Sequence, residues 1–206
     1  MLDFYDIKDP NAKSFVDHVI NACAEHGVKF IAERDDEHSE CRGSFGDYDK
    51  ELKIFLVPDI WLDVLVHEYS HMEQWLERSP IFLAKYRRRM DPTSVVDNWL
   101  NGHDYADSTL DACFRMVKEL ELDCEKRAVE NIKKWNLPIN VKRYTKCAIA
   151  YIHYYDYTRE YRNRCSNVPY ENENVIKSIK ADFSTMNLDV HNRKIVQLIH
   201  ENANSN

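Results

Sequence analysis

Apolar residues recur along most of this chain at three- and four-residue intervals, the repeat of a helix that buries one side. The first such stretch predicts a helix over residues 11–27, with Phe15, Val16, Val19, Ile20 and Ala24 on one face and Gly27 as its stop. The period then shortens. Residues 28–32, 41–45 and 51–57 read as strands, the last two joined by a turn through Gly46, Asp47, Tyr48, Asp49 and Lys50. Pro58 and Asp59 close this region, and Asp59 is placed to cap the helix that follows.

From Ile60 onward the helical repeat dominates. Helices are predicted over residues 60–76, 80–90, 108–135 and 140–164, with shorter ones near 174–183 and 189–201. Asp91-Pro92, Asn101 to Asp104, Asn136-Leu137-Pro138 and Val168-Pro169 break the pattern between them. The expected class is therefore α+β, mainly helical, with a small antiparallel sheet before the helix at 60–76. At 206 residues the chain fits one domain, with segments 1–58, 59–136 and 137–206 as its parts.

Composition narrows the partners. Hydrophobic residues make 44% and charged residues 31%, with a net charge of −7. That balance excludes the basic footprint of a nucleic-acid binder and makes a very acidic substrate unsuitable. The densest basic run, Lys85 to Arg89, reads as a solvated helix face. No apolar run reaches membrane-spanning length and no leader pattern opens the chain, so a cytoplasmic protein is expected. The six cysteines are scattered with no C-x-x-C pair, which predicts reduced thiols. Cys113, Cys124 and Cys147 fall among apolar helical positions, as small core residues do.

Chemistry concentrates in His67-Glu68-Tyr69-Ser70-His71. Residues four apart on a helix face the same way, so His67 and His71 can each turn an imidazole to one metal ion. Glu68, beside them, is placed to serve a water on that metal, whose pKa zinc lowers to about 7. A carboxylate there can take the water's proton and return it to a leaving amine. The preceding residues 60–66 are apolar almost all round, as in a buried helix. Two histidines and a glutamate in such a helix need partners, and a metal supplies them.

Zinc takes at least three protein ligands as a rule. The stripe Leu110, Phe114, Val117, Cys124, Ala128, Ile132 and Trp135 of the long helix carries Glu121 in its middle and Glu125 at its edge. A carboxylate in a dry stripe needs a metal or a charge partner, which makes Glu121 the expected third ligand and Glu125 the acceptor that orients a ligand histidine. Two other arrangements stay open. Glu121 can pair with Arg115 or Arg127, and Asp104, after Gly102 in a loop, can serve as the third ligand.

The two motifs together resemble the gluzincin branch of the zincin metallopeptidases. There, a second helix gives a glutamate ligand and an acid four residues on orients a histidine. Residues 121–128 also look like the E-x-E-A-N-x-x-A stretch of ImmA/IrrE-type peptidases, with Cys124 in place of alanine and Glu125 in place of asparagine. The layout, with a tyrosine-rich helix after the ligand helix, is similar to uncharacterised phage-encoded HExxH proteins. The resemblance covers about residues 41–135. It implies a zincin-like fold, Zn2+ held by His67, His71 and Glu121, and hydrolysis of a protein or peptide substrate with Glu68 as general base. It also implies a substrate lying as an added strand along 41–45 or 51–57.

In related enzymes a tyrosine or histidine often stabilises the oxyanion, and His153 and Tyr154 are the candidates on the helix at 140–164. The remaining histidines, His18, His26, His38, His191 and His200, read as surface or capping residues, and Trp61 and Trp75 as core. A different class of function competes with the enzyme: a zincin-like binding or regulatory protein that sequesters a partner, with the metal structural.

Overall fold

The computed structural model describes residues 7–33, 42–85, 91–165, 168–188 and 192–203. The predicted strand residue Cys41, the basic run from Tyr86 to Arg89, His38 and His191 lie outside the described residues. The chain is mainly helical with one small three-stranded sheet, and it divides into two compact units. The first holds residues 1–79 and 127–141, the second 80–126 and 142–206.

The first unit opens with α1 (Pro10–Glu25). Asp9 caps it by accepting the N–H groups of Asn11 and Ala12, with Pro10 at the first helical position. Gly27 ends it at φ +66, a conformation only glycine adopts without strain. Strands β1 (Lys29–Glu33), β2 (Gly43–Gly46) and β3 (Glu51–Phe55) follow. Their order is β1-β3-β2, with β3 antiparallel to β2 and parallel to β1. The sheet is thus mixed, not antiparallel as predicted. The physical reason lies in β3, whose Leu52 and Ile54 are fully buried and so take the central place. Once the β2–β3 hairpin closes, β1 meets β3 running the same way.

Helix α2 (Trp61–Leu76) packs on β2 and β3. Its start departs from prediction. Asp59 sits at φ +68 and Ile60 takes the cap position without any side-chain cap bond. The backbone supplies the turn instead, as Val57 C=O accepts from both Ile60 and Trp61 N–H. The final turns of the long helix α5 (Asp107–Lys134) complete this unit. Asn131 donates to Glu73 at 2.7 Å and Arg127 to Glu77 at 2.7 Å, tying α5 to the flank of α2.

The second unit holds α3 (Pro80–Ala84), α4 (Pro92–Leu100), the earlier turns of α5, α6 (Val141–Tyr161), α7 (Glu173–Ser178), a 3-10 turn (Phe183–Thr185) and α8 (Arg193–Ala203). Helix α4 has no counterpart in the prediction. Asp91-Pro92 reads as a stop for the helix before it, yet Asp91 accepts from Ser94 N–H and Pro92 fills the first turn, so the same pair starts a helix. Two apolar clusters hold the unit. Val95, Val96 and Trp99 of α4 meet Leu110, Cys113 and Phe114 of α5. Ile149 and Tyr157 of α6 meet Val175, Ile179, Val196 and Ile199 around α7 and α8. No described helix is long and apolar enough to cross a membrane. Cys23, Cys113, Cys124, Cys147 and Cys165 carry no disulfide.

Candidate metal centre

The site is built from α2 outward. Its inner face buries Leu62, Leu65, Val66, Tyr69 and Met72, which holds the helix against the sheet and α1. With that face fixed, the 3.6-residue repeat turns His67 and His71 to a common side. Their rings lie 4.8 Å apart between centroids and meet edge to face at 90°. Among the described residues, one group of histidine, cysteine and carboxylate side chains could hold a metal ion. It is His67, His71 and Cys124, with ligand atoms all within 4.8 Å of one another. Cys124 belongs to α5, one uninterrupted helix, and lies less than one turn before Arg127. It was read from the sequence as a core residue, and it is indeed fully buried. Cysteine on a dry stripe looks the same in sequence whether it packs or ligates.

Glu121 and Glu125 are buried as the helical stripe predicts, at 8% and 5% exposure, but neither carboxylate belongs to that group. Arg115 donates to Glu119 and Arg127 to Glu77. Asp104 lies in an exposed loop, its side chain 96% accessible and 3.8 Å from Arg162. Glu68 is buried at 6% exposure. Strand β2 passes directly beside it: a Cβ added to Gly43 would stand 2.6 Å from Val64 Cγ1 and 3.0 Å from Glu68 Oε1. Only glycine allows that approach, and it brings a sheet edge to the carboxylate.

One orienting residue was missed from the sequence. Gln74, fully buried, lies one turn after His71, and its Oε1 is 2.8 Å from His71 Nδ1. The i, i+3 spacing was the available signal. His18, read from the sequence as a surface or capping residue, is half-buried. Its Nε2 shares a 2.8 Å hydrogen bond with the Tyr69 hydroxyl, and its ring lies over Trp135 at 4.8 Å. Tyr69 stands between the two histidines of the motif, so α1 grips α2 from behind. Burial, then the nearby Lys134 ammonium, lowers the His18 pKa, and burial pushes the Cys23 thiol behind it up to about 11.

On α6, His153 and Tyr154 point into different surroundings. His153 Nδ1 donates to Asp156 Oδ2 at 3.0 Å, and Lys118 Nζ donates to Asp156 Oδ1 at 2.6 Å and to Leu188 C=O at 3.2 Å. Burial alone would raise the Asp156 pKa, but its bond from His153 and the Lys118 charge outweigh it and hold the carboxyl below its ordinary range. Tyr154 packs beside the α6–α8 cluster and stacks on Tyr157. The phenols that feel Glu121 are Tyr151 and Tyr155, whose hydroxyls lie 2.9 Å apart. Burial first, and the Glu121 carboxylate next, raise the pKa of both.

Compared with protein-family models, curated proteins and solved structures, the chain matches none of them.

Proposed function

We propose that this chain is a zinc-dependent peptidase. The observation that carries the reading is the His67, His71 and Cys124 group, with Glu68 buried next to it on the same helix. Two imidazoles and a thiolate are the borderline and soft donors that zinc prefers, and three protein ligands leave a position open for chemistry. Zinc bound there would act as a Lewis acid toward a carbonyl and a water. The protein's own share is proton movement and positioning. Glu68 accepts the proton of the attacking water and hands it to the departing amine. A buried carboxylate beside the metal ligands, rather than among them, suits that role.

The substrate is an extended peptide lying along β2. Glu51–Phe55 is the central strand, which leaves Gly43–Gly46 at the margin of the sheet. Phe55 N–H donates to Arg42 C=O at 2.8 Å, so antiparallel alternation turns the peptide groups of Gly43 and Phe45 away from β3. An added strand would meet them there and run past Glu68.

The deciding experiment is metal content by mass spectrometry of wild type, Cys124→Ala, Glu121→Ala and Asp104→Ala. About one zinc per chain in wild type, lost in Cys124→Ala and kept in the other two, is expected. Loss in Glu121→Ala with retention in Cys124→Ala would restore the ligand set expected from the sequence. A wild type that takes up no zinc when metal is supplied would end the peptidase reading. Peptide hydrolysis absent from a zinc-loaded wild type, with partner capture unaffected by Glu68→Gln, would instead establish the sequestering protein.

A further inference from the structure

Helix α2 contains a polar group that the proposed chemistry does not use and that the apolar pattern does not explain. Gln74 is fully buried, on a turn it shares with Met72, Glu73, Trp75 and Leu76. Burying a carboxamide is costly unless its polar atoms are satisfied. Its main chain is fixed as well: Gln74 C=O accepts from Ser79 N–H at 2.9 Å where the helix closes. A side chain rooted in a capped helix end and packed on all sides has little rotamer freedom. Its oxygen stands 2.8 Å from His71 Nδ1.

That contact has a chemical consequence for the ring. A neutral imidazole has one N–H and one lone pair, and the partner of one nitrogen decides the state of the other. A carboxamide oxygen accepts and cannot donate, so His71 must carry its proton on Nδ1. The lone pair is then on Nε2. In water the reverse tautomer is the commoner one for a histidine side chain. A His71 without this partner would first have to move its proton before Nε2 could ligate. An amide turned the other way would offer N–H groups to Nδ1 and hold the ring in the wrong tautomer.

We infer that Gln74 is a positioning residue for the metal centre, which locks His71 before metal arrives as an Nε2 ligand through an Nδ1–H bond to the Gln74 carboxamide oxygen. The inference rests on the metal site proposed above, and it concerns how that site is prepared. It places within α2 itself the orienting role that the sequence assigns to Glu125. The neutral acceptor also matters. With two neutral imidazoles and one thiolate, the donor set already carries a negative charge, and an amide orients the ring without adding another.

The first arm of the test needs no metal. The ring nitrogens of His71 are observed by NMR in the metal-stripped protein at about pH 8, above the ordinary histidine pKa, with the signal assigned by its loss in His71→Asn. Wild type is expected to show His71 in the Nδ1–H form. Gln74→Leu is expected to release it to the Nε2–H form, and Gln74→Glu, which keeps an acceptor oxygen, to retain Nδ1–H. Zinc titration should then show affinity about 10- to 100-fold weaker in Gln74→Leu, the usual cost of losing an orienting partner, with much smaller loss in Gln74→Glu. An Nε2–H ring in metal-free wild type would overturn the inference even if Gln74→Leu fails to fold. So would a Gln74→Leu protein whose tautomer and zinc affinity match wild type. Failure of wild type to bind zinc would strike the metal-site reading, and the tautomer result would stand by itself.

Discussion

Two helices of this protein gather polar clusters, and they are built on opposite plans. On α6, Asp156 receives Lys118 on one oxygen and His153 on the other, and Lys118 also reaches Leu188 C=O. Positive and negative charge meet inside the cluster. On α2, the polar groups converge: Gln74 fixes one side of the His71 ring, and the ligand atoms of His67, His71 and Cys124 gather within 4.8 Å. The first cluster pairs opposite charges, as buried structural ion pairs do, whereas the second gathers three donor atoms that could hold a metal ion.

The comparison is broken most severely at Glu68. Glu68→Gln should lower peptide hydrolysis by about 10²- to 10⁴-fold, the range for loss of a general base, with zinc content unchanged. Equal activity in the variant would place the α2 cluster beside that of α6, as structure only. The reverse experiment is Lys118→Met. Removing one partner of a buried ion pair costs about 3–5 kcal/mol, so thermal or urea unfolding should show a large loss of stability while zinc uptake by the folded protein persists. A Lys118→Met protein of wild-type stability would show that the α6 cluster does not hold the fold.

Gly43→Ala sharpens the contrast. The added methyl group would meet Val64 and Glu68 below contact distance, costing about 1–3 kcal/mol as overpacking and displacing the Glu68 carboxylate. Activity should fall more than stability does; loss of both in proportion would mean that the close approach serves packing alone. The smallest effect is expected at His18. Its pKa is lowered in the folded protein from the ordinary 6.5, so the unfolded chain binds the proton more readily. The stability this contributes is present above about pH 6.5 and is lost as pH falls through the folded value. His18→Gln should flatten the acid side of a melting-temperature profile, and an unchanged slope would refute the assignment.

The helical repeat was strong enough to place α1, α2, α5 and α6 from sequence, because each buries a continuous apolar face. It failed where local signals have two meanings. Asp91-Pro92 can end one helix or begin another, and neighbours in space chose the second. Asp59 was expected as a cap and became a left-handed turn residue. The sheet's strands were visible but their order was not, since pairing depends on which strand carries the most buried side chains. At the site, burial of Glu121 and Glu125 was readable from the dry stripe, and the approach of Cys124 to the two histidines was not.

By itself, the sequence determined the spacing that turns His67 and His71 to one side with Glu68 beside them, because helix geometry acts over four residues and needs nothing else. It also determined which face of α5 is dry. The tertiary structure alone decided that Cys124, from a helix more than fifty positions away in the chain, completes the group. It likewise decided that Gly43 passes Glu68, that His18 holds Tyr69 from behind and that β2 forms the margin of the sheet. The reason is the same in each case. Local spacing is set by bonded geometry, whereas the meeting of distant residues is set by how whole faces pack, and a stripe of apolar positions specifies that a face is buried without specifying what it faces.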